Sequence, residues 1–544
     1  MSRLLQIFGL LSVVLRGASL TFQSLTVGGV IFLLLVLRGS GRDFEDTKGS
    51  CLGWTRRFAF GLIVMQTSYL VVNASILMRS AEMGLSDIIG ANFVLAGALG
   101  LAACFAIVVL SSARRASSHR GLLLPAGAII ASSVLTSHAM ARLEHRPPLV
   151  FVTALHQLAT AAWLGALPFL LIAIRRAPSP EFVRRFSARF SGLALMSVAI
   201  LASAGLVLSF SYVGSLSALY GTSYGAMVAT KAILFGLLLF LGALNFQLVR
   251  HGEAASILSS LKRFGEAEIG IGVTVILAAA SLTSLPPAVD VTQDRVSGPE
   301  IYARMTPHPP RLLSPATKDL PENAYAAQKK AFDIGSLSAE SFVPGQSGTR
   351  PNTPAEKAWS EYNHHWAGII VLCVGFLAFL AQTGKVSWAR NWPLLFLGLS
   401  IFLFLRNDPE AWPLGPNGFW VTFTEPEVLL HRVFAALVVA LAVFEWRVQT
   451  RRVAPGSVRL VFPMLIAVSG ALLLTHSHSL GNAKEEVLAE LSHIPLAILA
   501  VMAGWSRWLE LRLPAENHTR AWLKRLWPVC ISLIGILLLN YREM

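Results

Sequence analysis

Charge is what this 544-residue chain has least of: Asp, Glu, Lys and Arg together make up 14%, against roughly 25% in soluble globular chains. So few charges cannot cover a soluble surface, which excludes a soluble enzyme and a disordered scaffold. Acidic residues are the scarcer sign, 30 against 45 Lys and Arg, for a net charge of +15. Cysteine is scarcer still. Cys51, Cys104, Cys373 and Cys530 stand far apart with no Cys-x-x-Cys pair, so neither a thiolate zinc site nor a disulfide framework is indicated. No Gly-x-x-x-x-Gly-Lys-Ser/Thr loop and no Asp-Lys-Thr-Gly-Thr phosphorylation sequence occurs. ATP is therefore not the energy source of any transport, and nothing points to a hydrolase or another enzyme.

What the chain has is apolar length. Hydrophobic residues reach 54%, and mean hydropathy is +0.59. A helix needs about 20 apolar residues to cross a bilayer. By that rule the runs between charge clusters predict an all-α polytopic membrane protein of about 14 transmembrane helices in two bundles. The predicted segments are 5–37, 58–79, 91–112, 121–142, 149–174, 190–212, 225–248 and 266–286, then 364–383, 391–406, 428–448, 457–478, 488–510 and 522–541. Met1–Ser19 could pass for a signal peptide, but the apolar run resumes at Val27–Leu37, so an uncleaved first span is expected.

Basic residues orient these segments. Alternate connections hold Arg56 and Arg57, Arg114 and Arg115, Arg175 and Arg176, Lys262 and Arg263, Arg451 and Arg452, and Lys524 and Arg525. That set carries 27 Lys and Arg, against 8 on the opposite side outside the long loop. The bias predicts a cytoplasmic location for the first set and extracytoplasmic termini. The excess positive charge is thereby accounted for without nucleic acid; membrane lipid is the expected surroundings. The polar, Pro-rich stretch that follows the eighth segment falls on the outer side and divides the two bundles.

Ten of the 13 histidines then fall on the outer side; only His119, His251 and His518 do not. Imidazole is costly within lipid, so a one-sided set of it marks a candidate site, although histidines also favour membrane interfaces. Two hairpins repeat one arrangement: His138 before His156, and His476 and His478 before His493. A short outer turn is expected to bring each pair of imidazoles to one depth, a geometry suited to copper, zinc or haem iron. His156 and Trp163 are seven apart and should share one helix face about two turns apart, making Trp163 packing or a lid beneath the site. His476 and His478 diverge on a regular helix and can share a metal only if the helix has unwound. His364 and His365 also diverge, so one is expected to ligate and the other to support. Met140 beside His138 is a soft neighbour, Glu425 and Glu427 near His431 would concentrate cations, and Lys231 is either a pathway residue or a snorkelling lysine.

Residues of the first half resemble the CopD family of bacterial copper-resistance membrane proteins. The resemblance rests on Leu155-His156-Gln157-Leu158-Ala159-Thr160-Ala161-Ala162-Trp163-Leu164-Gly165-Ala166-Leu167, on Arg185-Phe186-Ser187 with Gly205, on Tyr224-Gly225 followed by Lys231, and on Glu268 before Pro286-Pro287. It spans roughly residues 120 to 290. It implies copper movement inward across the bacterial cytoplasmic membrane, and a periplasmic copper-binding protein as a partner. Tyr362-Asn363-His364-His365-Trp366 and Asp408-Pro409-Glu410-Ala411-Trp412 more loosely resemble the C-terminal extension of larger copper-resistance proteins. The chain is thus divided into N-terminal helices over 1–120, a CopD-like domain over 121–290, an extracytoplasmic loop over 291–362 and a C-terminal transmembrane domain over 363–544.

The expected function is copper binding on the outer face and copper import. The expected ligands are His138, His156, His431, His476, His478, His493, His364 and His365, with Trp163, Met140, Glu425, Glu427 and Lys231 in support. Two alternatives remain open at this point: a redox protein in which paired histidines hold haem b, and a membrane copper chaperone for oxidase assembly.

Overall fold

The computed structural model describes residues 2–37, 45–80, 84–112, 119–176, 180–251, 254–293, 295–316, 353–409, 411–423, 426–452, 456–475 and 484–543. Among them helix dominates and no strand occurs. In lipid a backbone must satisfy its own N–H and C=O groups, and a helix does so within one segment. The chain is a polytopic all-α membrane protein. Eleven helices are long and apolar enough to cross a bilayer, and 120–135 and 457–473 are shorter apolar helices. A 24-residue helix, Pro426–Gln449, covers the remaining predicted segment.

The chain forms two compact units, residues 1–293 with 474–477, and residues 294–473 with 478–544. In the first unit, α1 (Ser2–Ile31) continues into a π-helical turn, Phe32–Val36. Then come α2 (Glu45–Ser80), α3 (Asn92–Ser112) and α4 (Leu123–Leu135). After α5 (Arg146–Thr160) the helix widens into a second π turn, Ala161–Gly165, before α6 (Leu167–Arg176). Three long helices complete the unit: α7 (Pro180–Tyr212), α8 (Ser223–His251) and α9 (Ala254–Leu282). Its core packs Val27 and Val30 of α1 against Ala59, Ile107, Ile129 and Ala161.

The second π turn sits where α1 approaches closest. A Cβ at Gly165 would lie 2.5 Å from the carbonyl carbon of Ser24 and closer still to its oxygen. One at Gly28 would lie 2.6 Å from the backbone nitrogen of Ala166. Lipid tails are as apolar as leucine, so helices in a bilayer hold together by this kind of backbone approach across small residues.

In the second unit a short helix, α10 (Gly298–Met305), precedes α11 (Pro354–Thr383). Helices α12 (Leu395–Arg406), α13 (Pro426–Gln449), α14 (Val461–Leu473), α15 (Lys484–Arg512) and α16 (His518–Leu539) follow. Helices α11 and α16 meet along Gly368 and Gly535, where a Cβ on Gly368 would be 2.9 Å from the Gly535 carbonyl oxygen. Trp392, Phe462 and Trp527 form the aromatic centre, with ring centroids 5.2 to 6.2 Å apart.

One boundary differs from the sequence reading in a way that matters. The apolar run begins near residue 364, but the helix begins ten residues earlier. Thr353 caps it: its Oγ accepts from the Glu356 N–H at 3.3 Å, and Glu356 Oε2 accepts from the Thr353 N–H at 2.6 Å. This reciprocal cap, with Pro354 at the first helical position, starts a helix whatever the hydropathy that follows. His364 and His365 therefore sit three turns inside α11, not at its mouth.

Candidate functional site

In the first unit, α4 stops at Leu135 and one helical turn, His138–Ala141, carries His138 and the half-buried Met140. His138 Nε2 bonds the carbonyl oxygen of Leu282 at 2.9 Å. A carbonyl only accepts, so Nε2 carries the proton and Nδ1 the lone pair. The ring stands 6.2 Å from that of Tyr212 and 6.1 Å from that of Tyr224. Arg142 leans over Tyr212 and holds Asp290 through two bonds of 2.9 and 3.0 Å. His138 is tied into this end of the unit as a brace.

His156 lies elsewhere. It is ten residues into α5, about 15 Å along the axis from the helix start at 1.5 Å per residue, and so below the mouth of the hairpin where the sequence reading pairs it with His138. The helix starts at Arg146, three residues before the expected segment, with two prolines in its first turn. The Nδ1 atom of His156 is buried and has no hydrogen-bond partner. Gly205 of α7 stands at the ring, where a methyl would be 4.0 Å from Cε1, and Lys231 lies eight residues into α8.

The π turn, Ala161–Gly165, begins between His156 and Trp163. His156 meets Gly205 of α7, and Trp163 meets Gly242 of α8. Trp163 is 3% exposed and packs edge-on against Phe235 at 6.1 Å. It lines a cavity of about 330 Å³ together with Ser187, Phe190, Gly242, Asn245 and Glu268. Glu268 is 2% exposed and accepts from Asn245 Nδ2 at 2.5 Å.

The second unit gathers histidines that are far apart in the chain. His364 and His493 have ring centroids 6.2 Å apart, and Tyr541 packs against both, at 3.7 and 6.0 Å. Each histidine bonds a carbonyl one turn back through Nδ1: His364 to Ser360 at 2.8 Å, His493 to Ala489 at 2.7 Å. Both rings are thus Nδ1–H tautomers with the lone pair on Nε2. A metal-ligating histidine is commonly fixed in just this way, its second nitrogen donating to a carbonyl.

Tyr541 donates to Glu543 Oε1 at 2.5 Å, and Ser360 donates to the same oxygen at 2.9 Å. Burial works against charge on Glu543, but the Tyr541 bond, the Arg304 charge and the Ser360 bond outweigh it and hold the carboxyl below its usual range. Burial and the neighbouring carboxylate push the Tyr541 phenol up. Arg304 is 2% exposed, donates to Ser492 Oγ at 2.9 Å and lies over the Tyr541 ring.

His365 is a correction. Its Nδ1 accepts from the Arg311 backbone N–H at 2.7 Å and its Nε2 donates to the Tyr541 carbonyl at 2.8 Å. With both nitrogens used and the residue 0% exposed, it joins chain segments and has no lone pair for a metal. Beside it, 5.5 Å between centroids, His308 keeps both ring nitrogens buried without partners.

His431 bonds Asp408 through Nδ1 at 2.7 Å, so the acidic neighbour that bears on it is Asp408. Glu427 is the second residue of α13; Glu425, His476 and His478 lie outside the described residues. Among the described residues no group of three or more His, Cys, Asp or Glu is arranged to chelate one metal.

Tyr541, Glu543, Arg304 and Ser360 were not singled out in the sequence. The signal available was the polar run Tyr541-Arg542-Glu543 directly behind an apolar segment; Arg304 and Ser360 carry none.

Comparison with known proteins bears on the first unit. Residues 184–282, which comprise most of α7 and all of α8 and α9, match the family described as copper resistance protein D. Those residues are similar to that family over about a fifth of the chain. The chain is also 31% identical over 161 residues to the copper transport protein CutJ of Bacillus subtilis (strain 168). That match spans 29% of this chain and 29% of CutJ. No solved structure matches. The matched residues include Gly205 against His156, Lys231 of α8, and Ser187, Asn245 and Glu268 in the cavity; the Leu155–Leu167 stretch precedes them.

Proposed function

We propose that this chain imports copper across the bacterial cytoplasmic membrane, binding the ion at histidines on the extracytoplasmic side. The observation that carries this reading is the unpartnered, buried Nδ1 of His156 against the helices that match the CopD family. An unsatisfied buried polar group costs about 1–3 kcal/mol, and inside a bilayer an ionisable residue facing protein marks a substrate path by default. Copper would satisfy that nitrogen, since divalent copper heads the affinity order for nitrogen ligands and imidazole also suits its other state. The relative named as a copper transport protein supports the same cargo. The asymmetry of Lys and Arg supports extracytoplasmic termini and, with them, an outward position for His138, His364 and His493.

The second unit contributes a two-histidine binding site. A separation of 6.2 Å between ring centroids is about what one ion bound to both Nε2 atoms requires, with metal–nitrogen bonds of about 2 Å. Delivery by a periplasmic copper-binding protein fits an outward site of this kind.

Copper analysis of the purified full-length protein tests the reading. The wild-type protein should carry copper and show no Soret band. His364→Ala and His493→Ala should each weaken copper binding at this pair by at least about tenfold, roughly 1.4 kcal/mol. His365→Asn should lower thermal stability with bound copper retained, because His365 spends both nitrogens on backbone. A copper-free wild-type protein, or a bis-histidine Soret band, would overturn the proposal.

A further inference from the structure

The cavity behind Trp163 has a donor set unlike the rest of the molecule. Its polar lining is made of Glu268, Asn245, Ser187 and Ser191, with no Cys, Met or His. Glu268, Asn245 and Ser187 are at least nine-tenths buried: 2%, 8% and 1% exposed. Asn245 spends its amide N–H on Glu268, which leaves the Asn245 Oδ1 and Ser187 Oγ atoms buried without partners. The polar atoms left for a guest are therefore oxygens: the carboxylate, an amide oxygen and a hydroxyl. Glu268 lies fourteen residues from either end of α9, about 21 Å along the axis from each, far from bulk water.

Oxygen donors select hard cations, while copper prefers imidazole, thiolate or thioether. Among the described side chains lining the cavity no cation balances the carboxylate; Trp163, Ser187, Phe190, Leu195, Asn245, Phe246 and their neighbours are neutral. A single carboxylate asks for a single positive charge. The volume leaves room for a small cation with waters, each occupying about 30 Å³.

We infer that this cavity binds a hard monovalent cation, a sodium ion or a proton taken up by Glu268 and its waters, at a site separate from the copper-binding histidines. Its use as the coupling ion for copper movement rests on the transport reading above; the binding itself does not. A chain without an ATP motif needs a second gradient to drive a cargo uphill, and a buried oxygen site in the helices that match the CopD family is where such an ion would be held.

Copper-free measurements on the full-length protein in detergent separate the two readings. The thermal midpoint is followed in sodium chloride against choline chloride at one ionic strength, and from pH 6 to 8, for wild type, Glu268→Gln and Ser187→Ala. Direct binding of radioactive sodium to wild type is measured alongside. For sodium, wild type is stabilised by sodium over choline and binds the isotope, Ser187→Ala binds it at least tenfold more weakly, and Glu268→Gln loses the response. For a proton, sodium has no effect, but the pH dependence of the wild-type midpoint differs from that of Glu268→Gln. If Glu268→Gln does not fold, Ser187→Ala and wild type decide the sodium case, and Glu268→Asp replaces it in the pH series. Identical responses of wild type and variants to sodium and to pH, including the case of a lipid or detergent tail filling the cavity, would overturn the inference. None of these outcomes depends on whether the protein carries copper.

Discussion

Cells producing His156→Ala should accumulate at least tenfold less copper through this protein than cells producing wild type, at equal membrane levels of the two. His156 Nδ1 makes no bond in the folded protein, so its loss would remove the proposed ligand without leaving a partner stranded. The bond from Thr160 Oγ to the His156 carbonyl is to the backbone and survives the substitution. Insertion and folding should therefore be kept. His156→Met separates the oxidation states: a thioether serves Cu(I) but is a poor ligand for Cu(II), so partial rescue would identify Cu(I) as the cargo. Trp163→Phe should keep copper uptake, because Trp163 packs on Phe235 in the next layer. Full accumulation by His156→Ala would remove His156 from the path.

The second large effect is structural. Gly165→Val should prevent the first unit from assembling, seen as loss of monodisperse protein after solubilisation. The atoms that a Cβ would strike belong to the backbone of Ser24 and Leu25 on α1. No side chain can swing aside, so the cost should exceed the about 1–3 kcal/mol of ordinary overpacking. Gly236→Ala is the control: nothing lies within 4 Å of a Cβ there, and it should be tolerated. A well-behaved Gly165→Val protein would mean that α1 and the π turn do not meet as described.

The predicted segments correspond to helices because apolar length and the bilayer are matched by one elementary requirement, that backbone groups be satisfied within the segment. Starts were less legible. Hydropathy locates where a helix enters apolar surroundings, whereas Thr353-Pro354-Ala355-Glu356 and Arg146-Pro147-Pro148 locate where it begins. The first of those starts moved His364 and His365 about three turns into their helix, and the second moved His156 by less than one turn. The π turn at Ala161–Gly165 has no hydropathic signature at all, yet it carries the close backbone approach to α1 at Gly165.

Histidines as a class were visible through their one-sided distribution. Their individual roles were not. His364 and His365 are adjacent and chemically identical in sequence; one donates a single proton to its own helix, while the other is locked between Arg311 and Tyr541. The pairing of His364 with His493 joins α11 to α15, and the tyrosine stacked on His364 follows α16. The cavity was hidden for the same reason, since Ser187, Asn245 and Glu268 read separately as ordinary polar interruptions of apolar helices.

Copper flux into proteoliposomes containing the purified full-length protein tests the central claim most directly. The account predicts copper entry well above protein-free vesicles, reduced at least tenfold by His156→Ala and proceeding without ATP. Vesicles that take up copper no faster than protein-free controls, from a wild-type protein shown to be folded and correctly inserted, would contradict it.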